Sequence, residues 1–219
     1  MASKAESVIY ELRIYTMKPN RLPEFVTLNS EVAWPIRRND YGTLVGCWTS
    51  EIGPLNQFFH LWSHPSLAER TVRREALARA PGMAEYGARV HHMVVRRENM
   101  LLNLDEEIGL RPVAGRGHVY ELRRYRAHDS STQAWSELLR AALPVREKYS
   151  PIVGLWTTEA GPLDMAVHLW VYDDLNHRAQ AGAAAGADPE WAAFERESAP
   201  LLAETDNVIL MPTVISPLQ

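Results

Sequence analysis

The chain has 219 residues, a net charge of −4 and 46% apolar residues, which is typical of a soluble globular protein with one large or two small domains. The mild acidity argues against nucleic acid as a partner, because phosphate binding needs a concentrated basic patch. No stretch approaches the ~20 apolar residues that a membrane helix needs, and the first residues contain no apolar core of a signal peptide.

The first part of the chain predicts strands that alternate with helices. Residues 8–15 alternate apolar and polar side chains, which indicates a half-buried strand. Residues 22–35 carry apolar side chains at helical spacing and predict an amphipathic helix. Residues 44–51 and 56–62 predict two more strands, and the Gly-Pro pair at 53–54 indicates a hairpin turn between them.

The remaining elements are predicted from capping signals and a closing apolar run. Ser66 followed by Glu69 is a capping-box signature, so a helix is expected to begin there. Residues 100–104 predict the last strand of this part. In the second part of the chain, Asp188 and Pro189 predict the cap and the first position of a short helix.

The second part of the chain repeats the first. The segment VGCWTSEIGPLNQFFHLW begins at Val45, and VGLWTTEAGPLDMAVHLW begins at Val153. The motif Tyr-Glu-Leu-Arg at residues 10–13 returns at residues 120–123. Repeats are the primary guide to architecture where they occur. We therefore divide the chain into a first unit, a linker rich in charge, Gly and Pro, and a second unit: residues 1–104, 105–117 and 118–219.

Each unit has the order βαββαβ with a short extra helix, which is the ferredoxin-like pattern. Its sheet has helices on one face only, so the other face must be covered. The second unit is the obvious cover. The predicted fold class is therefore α+β, with tandem ferredoxin-like units that form an intramolecular dimeric α+β barrel.

Strand alternation separates an apolar set from a polar set in each unit. Because aliphatic side chains suit a helical cover, we expect the polar set to face the second sheet, inside the barrel. A hairpin centred on the Gly-Pro pair would also place Trp48 opposite His60. The predicted enclosed surface consists of Glu11, Arg13, Tyr15, Trp48, His60 and Trp62 from the first unit, and Glu121, Arg123, Tyr125, Trp156, His168 and Trp170 from the second.

These residue types suit acid–base chemistry in a small-molecule pocket. A buried Glu and a His titrate near neutrality, so His60, His168, Glu11 and Glu121 are the candidate catalytic residues. The arginines would hold an enolate or carboxylate, and the tyrosines and tryptophans would contact the substrate. The alternative is structural, because buried Glu-Arg pairs are often ion pairs and a His beside a Trp is often a packing residue.

Other signals are weaker. His91 and His92 are adjacent without a third ligand, so we interpret them as structural or surface residues and predict no metal. Cys47 resembles a small apolar strand residue, and a single cysteine is compatible with a cytoplasmic location. No phosphate loop, nucleophile elbow or Cys-x-x-Cys pair occurs, so no cofactor is expected.

The repeated motifs Tyr-Glu-Leu-Arg-x-Tyr, Val-Gly-x-Trp-Thr-x-Glu-x-Gly-Pro-Leu and His-Leu-Trp resemble those of the NIPSNAP family over nearly the whole chain. The resemblance implies a dimeric α+β barrel and looks most like a bacterial, cytoplasmic member. It implies no firm activity, because the wider superfamily includes cofactor-free monooxygenases, polyketide cyclases, lactone isomerases and haem enzymes.

The leading functional hypothesis is a cofactor-independent cyclase, isomerase, dehydratase or monooxygenase that acts on an aromatic or polyketide-like substrate. A non-catalytic ligand-binding or adaptor protein is the alternative, and haem binding with a His as axial ligand is a third. The expected partner is a small molecule, without nucleic acid or membrane. Association of two chains into a homodimer is left open.

Overall fold

The computed structural model describes residues 7–115 and 117–219, so the N-terminal hexapeptide examined for a signal peptide lies outside the described residues. The first half consists of β1 (Ile9–Met17), α1 (Leu22–Leu28), a π-helical turn (Asn29–Ala33), α2 (Trp34–Arg37), β2 (Thr43–Ile52), β3 (Gln57–His64), α3 (Leu67–Arg79), α4 (Met83–Val90), a 3-10 turn (His91–Met93) and β4 (Val94–Leu104). The second half consists of β5 (Val119–Ala127), α5 (Thr132–Arg146), β6 (Ile152–Ala160), β7 (Met165–Tyr172), α6 (Leu175–Ala187), α7 (Pro189–Ser198), a 3-10 turn (Ala199–Leu201) and β8 (Leu202–Pro212). None of the described helices is long and apolar enough to span a membrane.

The eight strands form one closed antiparallel barrel in the order β1, β3, β2, β8, β5, β7, β6, β4. Each half contributes four neighbouring strands in the ferredoxin-like order, and the halves join through the β2–β8 and β4–β6 pairings. Residues 105–115 of the predicted linker lie between β4 and β5. The predicted α+β barrel of tandem ferredoxin-like units is confirmed.

Local signals placed the helix starts correctly. The Ser66 hydroxyl accepts a hydrogen bond from the backbone N–H of Glu69, and the Asp188 side chain caps α7, where Pro189 is the first residue. Both closing strands begin earlier than predicted, at Val94 and Leu202. The first residues of these strands are mostly exposed and charged, so they show no apolar alternation from which a strand could be predicted.

The interior of the barrel is apolar, so the predicted orientation of the two sets of side chains is wrong. One cluster of buried residues gathers the aliphatic side chains from both sheets, with Leu12, Leu61, Leu122 and Leu169 at its centre. The space left among these side chains is about 10 Å³, which is too small for a ligand. An eight-stranded barrel is just wide enough for its own side chains to fill. Ionised groups enclosed there would lack solvation, and the polar set therefore lies on the helix-covered side.

The tryptophans of β2 and β6 are separated from the histidines by the sheet. Trp48 pairs with Phe59, and Trp156 pairs with Val167, on the barrel side. His60 instead pairs with Cys47 on the helix side. The register of β2 shifts between Leu44 and Gly46, and a shift of one residue reverses the faces of a strand. The predicted pairing of Trp48 with His60 is therefore wrong.

Candidate functional site

Each half contains a hydrogen-bonded His–Trp pair between the sheet and its helices. The indole N–H of Trp62 donates to Nδ1 of His60 at 2.7 Å, and Trp170 donates to Nδ1 of His168 at 2.7 Å. Because an indole nitrogen can only donate, Nδ1 must accept, and the proton of the neutral imidazole lies on Nε2. Both Nε2 atoms are buried and have no hydrogen-bond partner within residues 7–115 and 117–219. The His–Trp pair of each half thus leaves its imidazole N–H without an acceptor among the described residues.

The two imidazoles are neutral at physiological pH. Burial lowers the pKa of His168 well below its ordinary value, and the charge of Arg123 lowers it further. Burial and the charges of Arg13 and Arg37 have the same effect on the pKa of His60. Since the neutral tautomer carries its proton on Nε2, both side chains present a hydrogen-bond donor and are poor proton acceptors.

Glu121 is fully buried and saturated with donors. Arg178 donates to Oε1 at 2.7 Å, Asn207 also donates to Oε1, and Arg123 and the Tyr172 hydroxyl donate to Oε2 at 3.0 and 3.1 Å. Burial alone would raise the pKa of Glu121, but the charge of Arg123 and these hydrogen bonds lower it to about 2. The carboxylate therefore stays ionised and fixes the position of Arg123.

Glu11 has the same role of anchor in the first half. Arg13 and Arg70 each donate to Oε1 at 2.7 Å, Arg74 lies 3.4 Å from the same oxygen, and His64 Nε2 lies 3.6 Å from Oε2. Burial raises the pKa of Glu11, but the contacts with His64 and Arg70 and the charge of Arg13 outweigh burial and hold the pKa well below its usual range. The buried carboxylate of Glu11 therefore stays ionised and fixes the positions of the arginine side chains that contact it.

A cavity of about 210 Å³ lies in the second half, between the sheet and helices α5 and α7. We call it the His168 cavity. Its walls are mainly aromatic, with a few polar groups at defined positions. The side chains that line it include Tyr125, Trp135, Trp170, Trp191 and Phe194 among the aromatics, and Arg123, His168, Glu195, Ser198 and Thr205 among the polar residues.

Arg123 also lines this cavity and has an unsatisfied donor of its own. It is the cross-strand partner of His168, so the two side chains lie on the same face of the sheet. Its terminal nitrogens donate to Tyr125 and Glu121 at 3.2 and 3.0 Å, which holds the guanidinium plane, while Nε is buried and has no partner in the described chain. Two neighbouring N–H groups without acceptors suit a carbonyl oxygen or an oxyanion.

The structure brings most of the predicted site residues together, but in two separate places. Arg123, Tyr125, His168 and Trp170 line the His168 cavity. Their counterparts Arg13, Tyr15, His60 and Trp62 lie together in the first half, where Arg13 donates to the Tyr15 hydroxyl at 2.9 and 2.6 Å. Trp48 and Trp156 belong to the barrel core and to neither place.

Several cavity residues were missed at the sequence level. Trp135 comes from α5, and Trp191, Phe194 and Glu195 come from α7. The spacing of Trp191, Phe194 and Glu195 places them on one face of a helix, which is the signal that could have identified them. No repeat signal accompanied these residues, because the helices of the two halves differ in sequence.

The histidines do not fit a haem or metal site. A metal-bound imidazole normally donates its other ring N–H to a neighbour and leaves a lone pair for the metal. In His60 and His168 the lone pair of Nδ1 already accepts a hydrogen bond from the tryptophan. Nε2 therefore carries the proton and has no lone pair for a metal. In the part of the chain that the structure describes, no group of three or more His, Cys, Asp or Glu residues could hold a metal ion.

The fold and the cavity define the class: an intramolecular dimeric α+β barrel with a small aromatic-walled site outside the barrel. The NIPSNAP family model matches residues 10–105 and 120–217, and the chain belongs to the NIPSNAP family. NipSnap homolog 2 of Homo sapiens is 30% identical over 100% of this chain and 78% of its own length. NipSnap homolog 1 of Danio rerio is 29% identical over 100% of this chain and 80% of its own length.

Among solved structures, the chain is similar to a provisionally assigned monooxygenase from Lactobacillus acidophilus NCFM. The TM-score is 0.67 with 12% identity, and the match covers 98% of this chain and 100% of that one. An anthrone oxidase-like protein matches with a TM-score of 0.67 and 7% identity, over 94% of this chain and 91% of that one. These likenesses show the fold alone. The relatives named above are vertebrate proteins and lend no support to the expected bacterial type.

Proposed function

We propose that the second half binds a small planar molecule through its carbonyl or oxyanion group, and that the chain is a cofactor-independent enzyme of isomerase, cyclase or dehydratase type. The observation that carries this proposal is the unpartnered Nε2–H of His168, a residue that lines the His168 cavity. A buried donor without a partner costs about 1–3 kcal/mol, so a site that keeps one is suited to an acceptor from a ligand.

The walls of the His168 cavity select the shape of the ligand. Trp135, Trp170 and Trp191 offer flat apolar faces for an aromatic or polyketide-like ring. The volume of about 210 Å³ is below the ~300–1,000 Å³ of drug-sized sites. A substrate of one or two rings is therefore expected.

Enolisation is the chemistry that these groups support. Glu195 is the carboxylate that lines the cavity, and it would take the proton from the carbon next to the substrate carbonyl. The C–H electron pair becomes the enolate, whose oxygen accepts hydrogen bonds from Nε2–H of His168 and Nε–H of Arg123. Return of the proton from Glu195 to another carbon of the conjugated enolate gives an isomer. Attack of the enolate carbon on a second carbonyl of the substrate forms a C–C bond and an alkoxide, and the alkoxide takes the proton back from Glu195 to give a cyclised alcohol.

Ligand binding without turnover is the second candidate function. It is favoured by the state of the residues first considered for acid–base work: Glu121 is saturated with donors, and the pKa of His168 is well below neutrality. On this alternative the same cavity binds the same class of molecule, and Glu195 abstracts no proton.

The test uses α-tetralone, a bicyclic aromatic ketone with exchangeable hydrogens next to its carbonyl. Binding is followed by quenching of tryptophan fluorescence, and enolisation by NMR as deuterium incorporation in D₂O. His168→Phe should weaken binding by about tenfold or more, the loss expected for one buried hydrogen bond. Glu195→Gln should preserve binding and abolish exchange, and Glu197→Gln on the same helix is the matched control.

The outcomes separate the two candidates. Exchange that depends on Glu195 and His168 supports the enzyme, and binding that depends on His168 without exchange supports the binding protein. If His168→Phe and the parent protein bind α-tetralone equally, the His168 cavity is not the ligand site.

A further inference from the structure

Four arginines of the first half surround a single carboxylate. Arg13, Arg70 and Arg74 all contact Oε1 of Glu11, at 2.7, 2.7 and 3.4 Å. Within residues 7–115 and 117–219 these three make no other salt bridge, and Arg37 makes none at all. The charges of Arg13, Arg37 and Arg74 all act on His60, which lies in their midst. The cluster therefore has an excess of positive charge in a largely buried place.

Arg37 is the least satisfied of these cations. Its guanidinium carbon lies 3.3 Å from the centroid of the Trp62 ring, so the guanidinium stacks on the indole. Nε and Nη2 are buried and have no hydrogen-bond partner in the described part of the chain. Burial, together with the charge of Arg13, lowers the pKa of Arg37 to about 9, which still leaves the side chain charged at neutral pH. Removing an unpaired charge from water is costly, so a counter-ion is expected here.

The neighbouring unsatisfied groups are mostly donors. Nε of Arg70, Nε2 of His60 and both ring nitrogens of His64 are buried without a hydrogen-bond partner in the described chain. Oε2 of Glu11 is an unsatisfied acceptor that faces Nε2 of His64 at 3.6 Å, and only one of the two ring nitrogens of a neutral imidazole can donate. A set of guanidinium and imidazole N–H groups is suited to an oxyanion, which accepts several hydrogen bonds at once.

In the second half, a buried arginine that makes no salt bridge among the described residues has hydrogen-bond acceptors from its own chain. Arg146 is the counterpart of Arg37, and it donates to the Ser150 hydroxyl at 2.8 Å and to the Tyr172 hydroxyl at 3.1 Å. By the spacing of the repeat, Gly182 stands where the first half has Arg74. The first half thus gathers four arginines around Glu11 and the second half three around Glu121, and among the described residues Arg37 lacks the hydrogen-bond acceptors that Arg146 has.

We infer that the first half binds a divalent oxyanion, of the phosphate-ester or dicarboxylate class, between Arg37, Arg74 and His60. The side chain of Arg74 is 34% exposed, so an anion can approach the cluster from that side. This site is separate from the His168 cavity, and the two halves would then bind chemically different groups.

The test titrates the whole protein with inorganic phosphate and, separately, with malonate, against chloride at the same ionic strength. Isothermal calorimetry measures the affinity. Arg37→Gln and Arg74→Gln should each weaken binding by about ten- to a hundredfold, the loss of one charge-assisted hydrogen bond. Arg73→Gln removes the same charge from the next residue of α3, where Arg73 pairs with exposed Glu69, and should change the affinity less than about twofold.

A preference for phosphate identifies the ester class, and a preference for malonate identifies the dicarboxylate class. The inference is overturned if neither phosphate nor malonate binds saturably. It is also overturned if Arg73→Gln weakens the affinity as much as Arg37→Gln and Arg74→Gln do. If Arg37→Gln does not fold, Arg74→Gln still tests the inference, because the Arg74 side chain is partly exposed and its substitution disturbs the fold less. His168→Phe should leave phosphate binding unchanged, which keeps this result independent of the proposed enzyme.

Discussion

The indole ring of Trp156 covers the backbone of Gly154. A Cβ atom added to Gly154 would lie 2.5 Å from Cη2 of that ring, and the same relationship holds for Gly46 and Trp48 at 2.0 Å. Both indoles are packed in the barrel core. The glycine of the repeated Val-Gly-x-Trp motif is therefore explained by packing. Only glycine leaves room for the indole ring two residues further on to lie against the backbone of its own strand.

Gly154→Ala should destabilise the protein by about 1–3 kcal/mol, because the buried Trp156 ring must move in a filled core. Urea denaturation measures the free energy of unfolding. Gly182→Ala is the control, since a Cβ at Gly182 meets nothing within 4 Å in helix α6. That variant should gain about 0.5–1 kcal/mol from helix propensity. Equal effects of the two variants would contradict the packing explanation.

Trp170→Phe should destabilise the protein by about 1–3 kcal/mol more than Trp135→Phe. Both tryptophans are buried in the second half, and both substitutions remove a similar volume. Trp170 donates to His168, whereas Nε1 of Trp135 has no partner among the described residues. Only the first substitution leaves a buried acceptor unsatisfied. Thermal and urea unfolding of both variants give the difference, and a difference near zero would show that the His–Trp bond adds no stability.

Stability should fall as the pH decreases below about 6.5, the ordinary pKa of histidine in an unfolded chain. The pKa of His60 and that of His168 are lowered in the folded state, so below pH 6.5 the unfolded state binds more protons. Each histidine then removes about 1.4 kcal/mol of stability per pH unit until its folded pKa is reached.

His168→Gln should therefore make the pH dependence of the unfolding free energy shallower by about 1.4 kcal/mol per unit between pH 6 and 5. His92→Gln changes an exposed histidine and should leave the slope unaltered. An unchanged slope in His168→Gln would mean that the imidazole is protonated in the folded protein, against the tautomer inferred from Trp170.

Glu121→Gln should cost about 3 kcal/mol, because it leaves Arg123 and Arg178 without their counter-ion in a largely buried place. Glu204→Gln is the matched control: this carboxylate is 74% exposed and pairs with Arg126, so its loss should cost less than about 1 kcal/mol. Urea denaturation at pH 7 compares the two. A similar small cost for both variants would show that Glu121 does not anchor the arginines.

The candidate site was predictable in part. The repeat and strand alternation correctly grouped Glu, Arg and Tyr of the first strand with His and Trp of the third. In the second half, Arg123, Tyr125, His168 and Trp170 indeed share one cavity. The aromatic walls from α5 and α7 were not predictable, because no repeat signal accompanied them and the contact of a helix with a particular strand depends on the assembled fold.

The duplicated sequence by itself determined the order of the strands, the helix caps and the pairing of two ferredoxin-like units in one barrel. Only the tertiary structure decided which side of the sheet holds the ionised groups. Both faces of this sheet are buried, one by helices and one by the opposite sheet, so alternation separates the two sets of side chains without assigning them to a side. The narrow barrel accommodates aliphatic and indole groups, whereas the space under the helices lets Glu11 and Glu121 meet the arginines of α3 and α6.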